Sequence, residues 1–206
     1  MVAVFNLDNL INHLRSAREN LEDINFYHFS EAMLEYSNSF SFLGRALSMA
    51  FSDITTKAQI IQTNFKNTPF TGIQSMIRDE VSRGVEKENS SKRASTARTV
   101  LRLMWFLDFL KVMITHLIEH RDWTLGKACR KAYKTALAPH HPWAVRVAAK
   151  LGIKTVPSKE VYMSRLLGNI EYDRQIEVFR TMMDESIPIR DVLWKFYADN
   201  SLTNLP

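Results

Sequence analysis

The stretch A-R-T-V-L-R-L-M-W-F-L-D-F-L-K-V-M, residues 97–113, decides how the rest of the chain is read. At 100° per residue, Leu103, Phe106, Leu107, Leu110 and Met113 share one broad apolar face, which predicts a core helix over 96–119. Arg98 and Arg102 sit one turn apart at its start, on a second stripe with Trp105, Phe109, Val112 and His116. Two like charges at that spacing repel by about 0.2–0.5 kcal/mol, and setting them against apolar surface costs more unless an anion meets them. The plain alternative is a solvated first turn whose arginine stems cover apolar surface.

The same periodicity recurs along the chain, at roughly residues 5–21, 30–37, 40–64, 71–85, 123–137, 142–152, 158–167, 170–184 and 188–198. Six glycines, six prolines and little alternating hydrophobicity argue against strands, so the expected class is all-α. With 206 residues, 46% of them hydrophobic, one domain over 1–206 is expected. Ser158 reads as an N-cap, Gly168 as a helix stop, and Pro142 belongs to the first turn of a helix. The polar stretch at 86–96 reads as a surface loop.

A single cysteine, Cys129, excludes an internal disulfide and suits a reducing compartment. The N-terminal residues lack the basic and apolar regions of a secretory signal, and 101–118, the most apolar window, contains Arg102, Asp108, Lys111 and His116. A cytoplasmic protein is expected, touching membranes reversibly from outside. The net charge of +5 suits an anionic partner. The basic run K-E-N-S-S-K-R-A-S-T-A-R has no interleaved aromatics, which disfavours nucleic acid.

Two further segments carry polar groups into apolar stripes. Asp53 and Lys57 share a stripe with Phe42, Met49, Ile60 and Ile61. An i,i+4 ion pair is the simple reading, but it does not account for the apolar setting. In L-A-P-H-H-P-W-A-V-R-V-A-A-K, Trp143, Arg146 and Lys150 fall on one face, where an indole beside two cations suits a membrane interface. His116-Leu-Ile-Glu119-His120 spells H-x-x-E-H, an inverted zinc-hydrolase motif, yet it closes a core helix and such short matches arise by chance. Cys129 has no nucleophile signature around it.

Taken together, D-x-x-x-K at Asp53 and Lys57, R-x-x-x-R at Arg98 and Arg102, and A-P-H-H-P-W through His141 and Trp143 resemble the glycolipid transfer protein superfamily. They are most similar to its phosphate-headgroup branch, the ceramide 1-phosphate transfer proteins, over about residues 28 to beyond 180. The resemblance implies a two-layer helical sandwich that encloses lipid chains and holds the headgroup in a recess. It implies that Asp53 accepts from the sphingoid amide, that His141 donates to the acyl carbonyl, and that Lys57, Arg98 and Arg102 hold the phosphate. The glycolipid branch has a Trp platform at the place of Arg102. This chain departs from the phosphate branch at Trp105, where a further Arg is usual, so Trp105 is a possible headgroup contact.

Phe42, Met49, Phe106, Leu110 and Met113 are the expected apolar pocket, and Trp143, Arg146 and Lys150 the expected membrane contact. The function so implied is non-enzymatic transfer of ceramide 1-phosphate by a monomer that needs no cofactor and no metal. Glycosylceramide transfer and a sphingolipid sensor are the alternatives, and zinc hydrolysis through H-x-x-E-H a remote one.

Overall fold

The computed structural model describes residues 5–66, 68–89 and 94–206, without the side chains of 45, 46 and 48–51. Among the described residues there are no strands, only isolated bridges at Asn25 with Gly72 and Asn89 with Ala94. The helices are α1 (Leu7–Arg18), α2 (Phe26–Ser39), α3 (Arg45–Phe65), α4 (Ile73–Ser82), α5 (Thr96–Glu119), α6 (Leu125–Ala132), α7 (Trp143–Ile153), α8 (Lys159–Leu167) and α9 (Tyr172–Asp199). They form a two-layer sandwich in which α5 packs against α3, α4, α6 and α9, while α1 joins α2 to α9. Part of the loop expected at 86–96, residues 90–93, lies outside the described residues.

The apolar face read from 97–113 is the centre of the core: Leu103, Phe106, Leu107, Leu110, Met113 and Leu117 are all buried, and Phe106 meets Tyr36 edge-on and Phe40 at 5.3 Å. Phe109 is buried too, so apolar surface wraps most of α5. Burying each such side chain stabilises the fold by about 1.5–3 kcal/mol. Cys129 is fully buried, its Sγ 3.6 Å from Met113 Sδ, and the apolar setting pushes its thiol up to about 12.

The start of α5 is fixed from three sides. Ser95 caps it by accepting from the Arg98 amide at 3.2 Å. The buried Glu80 carboxylate of α4 accepts from the Thr96 and Ala97 amides at 2.7 and 2.8 Å, placing a negative charge on the positive end of the helix. Tyr197 of α9 donates to the Ala97 carbonyl at 2.6 Å. The first two turns of α5, which carry Arg98 and Arg102, are therefore held by α4 and α9.

Ser158 caps α8 and Gly168, at φ 78°, ends it, as the sequence predicts. Pro142 stands one place before the first residue of α7. The two segments expected at 170–184 and 188–198 are instead one helix, α9, continuous through Pro188. A proline inside a helix costs about 3 kcal/mol. Here Met182, Met183, Ile189, Leu193 and Tyr197 bury one uninterrupted face, which outweighs that cost.

The residues after α9 turn back sharply. The Leu202 amide donates to Tyr197 O at 2.9 Å and the Ser201 amide to Ala198 O at 3.2 Å, with Ser201 left-handed at φ 58°. Leu202 and Leu205 are both buried. This turn lays 202–206 along the first turns of α5.

Candidate lipid site

Two cavities meet beside α5. The larger, of about 370 Å³, is lined by Leu47, Phe109, Tyr133, Leu137, Val145, Ala148, Ala149 and Ile153 together with Asp53 and His141. The second, of about 280 Å³, is lined by Arg102, Trp105, Phe106, His140 and Ile54, again with Asp53, Leu137 and His141. One space is thus apolar and the other carries a cation and imidazoles, and Asp53, Leu137 and His141 belong to both.

A local irregularity in the helix after α6 builds their junction. Residues Tyr133–Leu137 form a π-helical turn and Ala138–His140 a 3₁₀ turn, which rotate Tyr133, Leu137 and His141 towards the same space. Tyr133 and His141 pair at 3.0 Å between the phenol oxygen and Nδ1. Burial, and then the neighbouring His140, lower the pKa of His141, so its ring is neutral at pH 7. The tautomer in which Tyr133 donates to Nδ1 carries the ring proton on Nε2, where it can donate to a carbonyl. The sequence reading missed Tyr133. Its spacing of eight residues from His141 carries no helical signal once the helix changes pitch.

Asp53 is largely exposed and Lys57 largely covered, and the lysine donates to both carboxylate oxygens at 2.5 and 2.6 Å. The simple i,i+4 pair is therefore what the structure contains, at the mouth of the two cavities.

Arg98 and Arg102 stand together, both half-buried. Burial lowers the pKa of each, and burial with the charge of Arg98 takes Arg102 down to about 10, so both keep their charge at pH 7. Among the described residues no carboxylate side chain pairs with either, and Asp53 acts on Arg102 only from across the recess. Instead Arg98 Nε and Arg102 Nη2 donate to the same oxygen, that of Pro206, the latter at 2.5 Å. Arg102 also reaches Leu205 O at 3.4 Å and Arg98 O at 3.3 Å. Backbone acceptors have no residue signature, which is why the sequence reading missed this contact.

The Arg102 guanidinium lies over Trp105, 4.8 Å from the ring centroid, and His140 stacks on that indole at 3.7 Å and 2°. Trp105 Nε1 is buried and has no hydrogen-bond partner among the described residues. Trp105 is thus part of the recess wall, its ring already engaged by two neighbours.

The other expected residues are distributed as follows. Phe106 lines the polar recess, Phe42 is half-buried against the core, and Leu110 and Met113 are buried within it. The Met49 side chain lies outside the described residues. On α7, Trp143 is 73% exposed and Leu151 59%, in line with exposed Val147, while Arg146 and Lys150 are exposed beside them. The opposite side of α7, through Ala149 and Ile153, closes the apolar cavity.

His116, Glu119 and His120 bring ligand-type atoms within 4.8 Å of one another at the far end of α5. The two imidazoles lie 5.5 Å apart at 25°, and each packs on Trp123, whose ring is capped by Lys127 Nζ at 4.0 Å. His116 Nδ1 is buried with no hydrogen-bond partner among the described residues, so the three side chains together make a candidate metal group. The contact the structure shows there is an aromatic stack at the end of α5.

Comparison with known proteins agrees with the geometry. The family model described as glycolipid transfer protein (GLTP) matches residues 24–168. The Homo sapiens ceramide-1-phosphate transfer protein is 30% identical over 188 residues, covering 85% of this chain and 83% of that protein. The ACD11 homolog protein of Arabidopsis thaliana is 26% identical over 197 residues, covering 95% and 82%. The apo-form crystal structure of mouse ceramide-1-phosphate transfer protein superposes with a TM-score of 0.86 at 26% identity, covering 98% of this chain and 100% of that one. The human protein in complex with 12:0 ceramide-1-phosphate gives a TM-score of 0.87 at 23% identity, covering 98% and 100%, which is a likeness of fold. The chain belongs to the glycolipid transfer protein family.

Proposed function

We propose that this protein binds ceramide 1-phosphate and carries it between membranes, without catalysis. The observation that supports this most directly is the meeting of an apolar cavity with an arginine-bearing recess at Asp53 and His141. The alkyl chains enter the space under α7, where each buried CH₂ is worth about 0.8 kcal/mol relative to water. Arg98 and Arg102 take the phosphate, because planar guanidiniums match its oxygens and charge-assisted hydrogen bonds are about twice as strong as neutral ones. Lys57 joins them by leaving Asp53, whose carboxylate then accepts from the sphingoid amide. His141 Nε2 donates to the acyl carbonyl.

Exposed Trp143, Val147 and Leu151, flanked by Arg146 and Lys150, form the surface that meets the bilayer. No helix among the described residues is long and apolar enough to cross a membrane, in keeping with reversible contact. Trp105 is engaged by Arg102 and His140 and contributes to the recess wall, which disfavours sugar stacking. We place the protein in the cytoplasm as a monomer of one lipid-binding domain.

The deciding experiment is transfer of labelled lipids between vesicles, ceramide 1-phosphate against galactosylceramide. Selective transfer of the phosphate lipid is expected. Selective transfer of the sugar lipid would refute the headgroup assignment, and tight binding without transfer would make the protein a sensor.

A further inference from the structure

The oxygen at the point where Arg98 and Arg102 converge belongs to the protein itself. Pro206 O accepts from Arg98 Nε and Arg102 Nη2 together, and Leu205 O lies 3.4 Å from both terminal nitrogens of Arg102. One atom bridging two guanidiniums is what a phosphate oxygen would do there, and a second oxygen has no room at the same point. The contact is built: Ser201 takes a left-handed conformation to turn the chain, and buried Leu202 and Leu205 anchor it on either side.

We propose that the segment 202–206 is an internal occupant of the headgroup site, docked on Arg98 and Arg102 in the empty protein and displaced when a phosphate monoester binds. The inference rests on the headgroup reading above. Two half-buried like charges would otherwise face each other without an acceptor, and the backbone oxygens of Leu205 and Pro206 supply one. A phosphate dianion brings two charges and three oxygens to the same donors, so it displaces the backbone oxygens. The strap therefore lowers apparent affinity by the fraction of time it lies on the arginines: if it covers them nine-tenths of the time, the loss is about tenfold. It also gives the lipid a route out, because the backbone oxygens return as the phosphate leaves.

The test measures equilibrium affinity for a short-acyl ceramide 1-phosphate in three folded variants, each checked for helical content. A variant shortened to end at Asn204 and the milder Leu205→Ala, which keeps the carbonyl but loosens its anchor, are both expected to bind about three- to tenfold more tightly than the parent. Unchanged or weaker binding in both would overturn the inference. In the parent protein, Leu205 methyl signals are expected to become mobile on adding the lipid; signals that stay rigid at saturation would overturn it equally. Arg102→Leu separates the two readings. Lost binding in that variant with unaltered binding in the strap variants sinks the strap alone, whereas retained binding in Arg102→Leu sinks the headgroup site and the strap together.

Discussion

The two ends of α5 make a useful comparison, because each carries polar side chains on an otherwise apolar helix. At the start, Arg98 and Arg102 converge on one oxygen beside a cavity. At the end, His120 stacks on Trp123 and His116 lies tilted against the same ring. Both pairs have i,i+4 spacing, so spacing alone ranks them alike. What separates them is setting: the guanidinium N–H groups meet at a point beside a cavity, whereas the imidazole faces are covered by each other and by Trp123. A motif becomes a site only where its donor or lone-pair vectors intersect in accessible volume.

The comparison is broken most severely by Arg102→Leu, which is expected to lower ceramide 1-phosphate affinity by roughly 30-fold or more while leaving helical content intact. Removing one partner of a desolvated charge contact costs about 2–5 kcal/mol. Uptake measured by Trp fluorescence checks it, and parent-like uptake would place the phosphate elsewhere.

Next in size is Trp143→Ala. Loss of a 73% exposed indole from the apolar stripe of α7 is expected to slow exchange between vesicles about tenfold, with affinity for a water-dispersed short-chain lipid unchanged. Equal losses in both assays would mean that Trp143 lines the pocket.

A smaller effect concerns pH. Burial lowers the pKa of His13, His116, His140 and His141 in the folded protein. The unfolded chain then binds more protons than the native one as pH falls below about 6.5, so stability declines on acidification through that window and levels off below the folded-state values. Urea midpoints at pH 7.5 and 5.5 are expected to differ in that sense, and His141→Gln should flatten the slope. A steeper slope in the variant would contradict the assignment.

The smallest effect is expected from His120→Ala at the other end of α5. Transfer rate, and its insensitivity to zinc and chelator, should match the parent. Stoichiometric zinc in the purified protein, lost in this variant, would overturn the reading of the stack.

Much of this was legible in the sequence for reasons that are local. Periodicity on α5 placed the core, and Ser158 and Gly168 marked the ends of α8 because capping and left-handed backbone depend on adjacent residues. Pro188 misled for the same reason: its local cost is real, but the long buried face of α9 that outweighs it is a property of the assembled core. The arginine pair was readable from spacing and setting. Tyr133 was not, since the π-helical turn that aims it at His141 breaks the 3.6-residue rule. The backbone oxygens of Leu205 and Pro206 lay beyond sequence reasoning altogether, because every residue carries such an acceptor.

Cys129 has a practical consequence. The chain's one thiol is enclosed against Met113 and held in its protonated form far above neutral pH, so maleimides and other thiolate-directed reagents should pass it by. The natural protein is thus already a silent background for site-directed labelling. A spin label or fluorophore introduced through Thr203→Cys or Val147→Cys would report on the strap or on the membrane face in an otherwise unaltered chain.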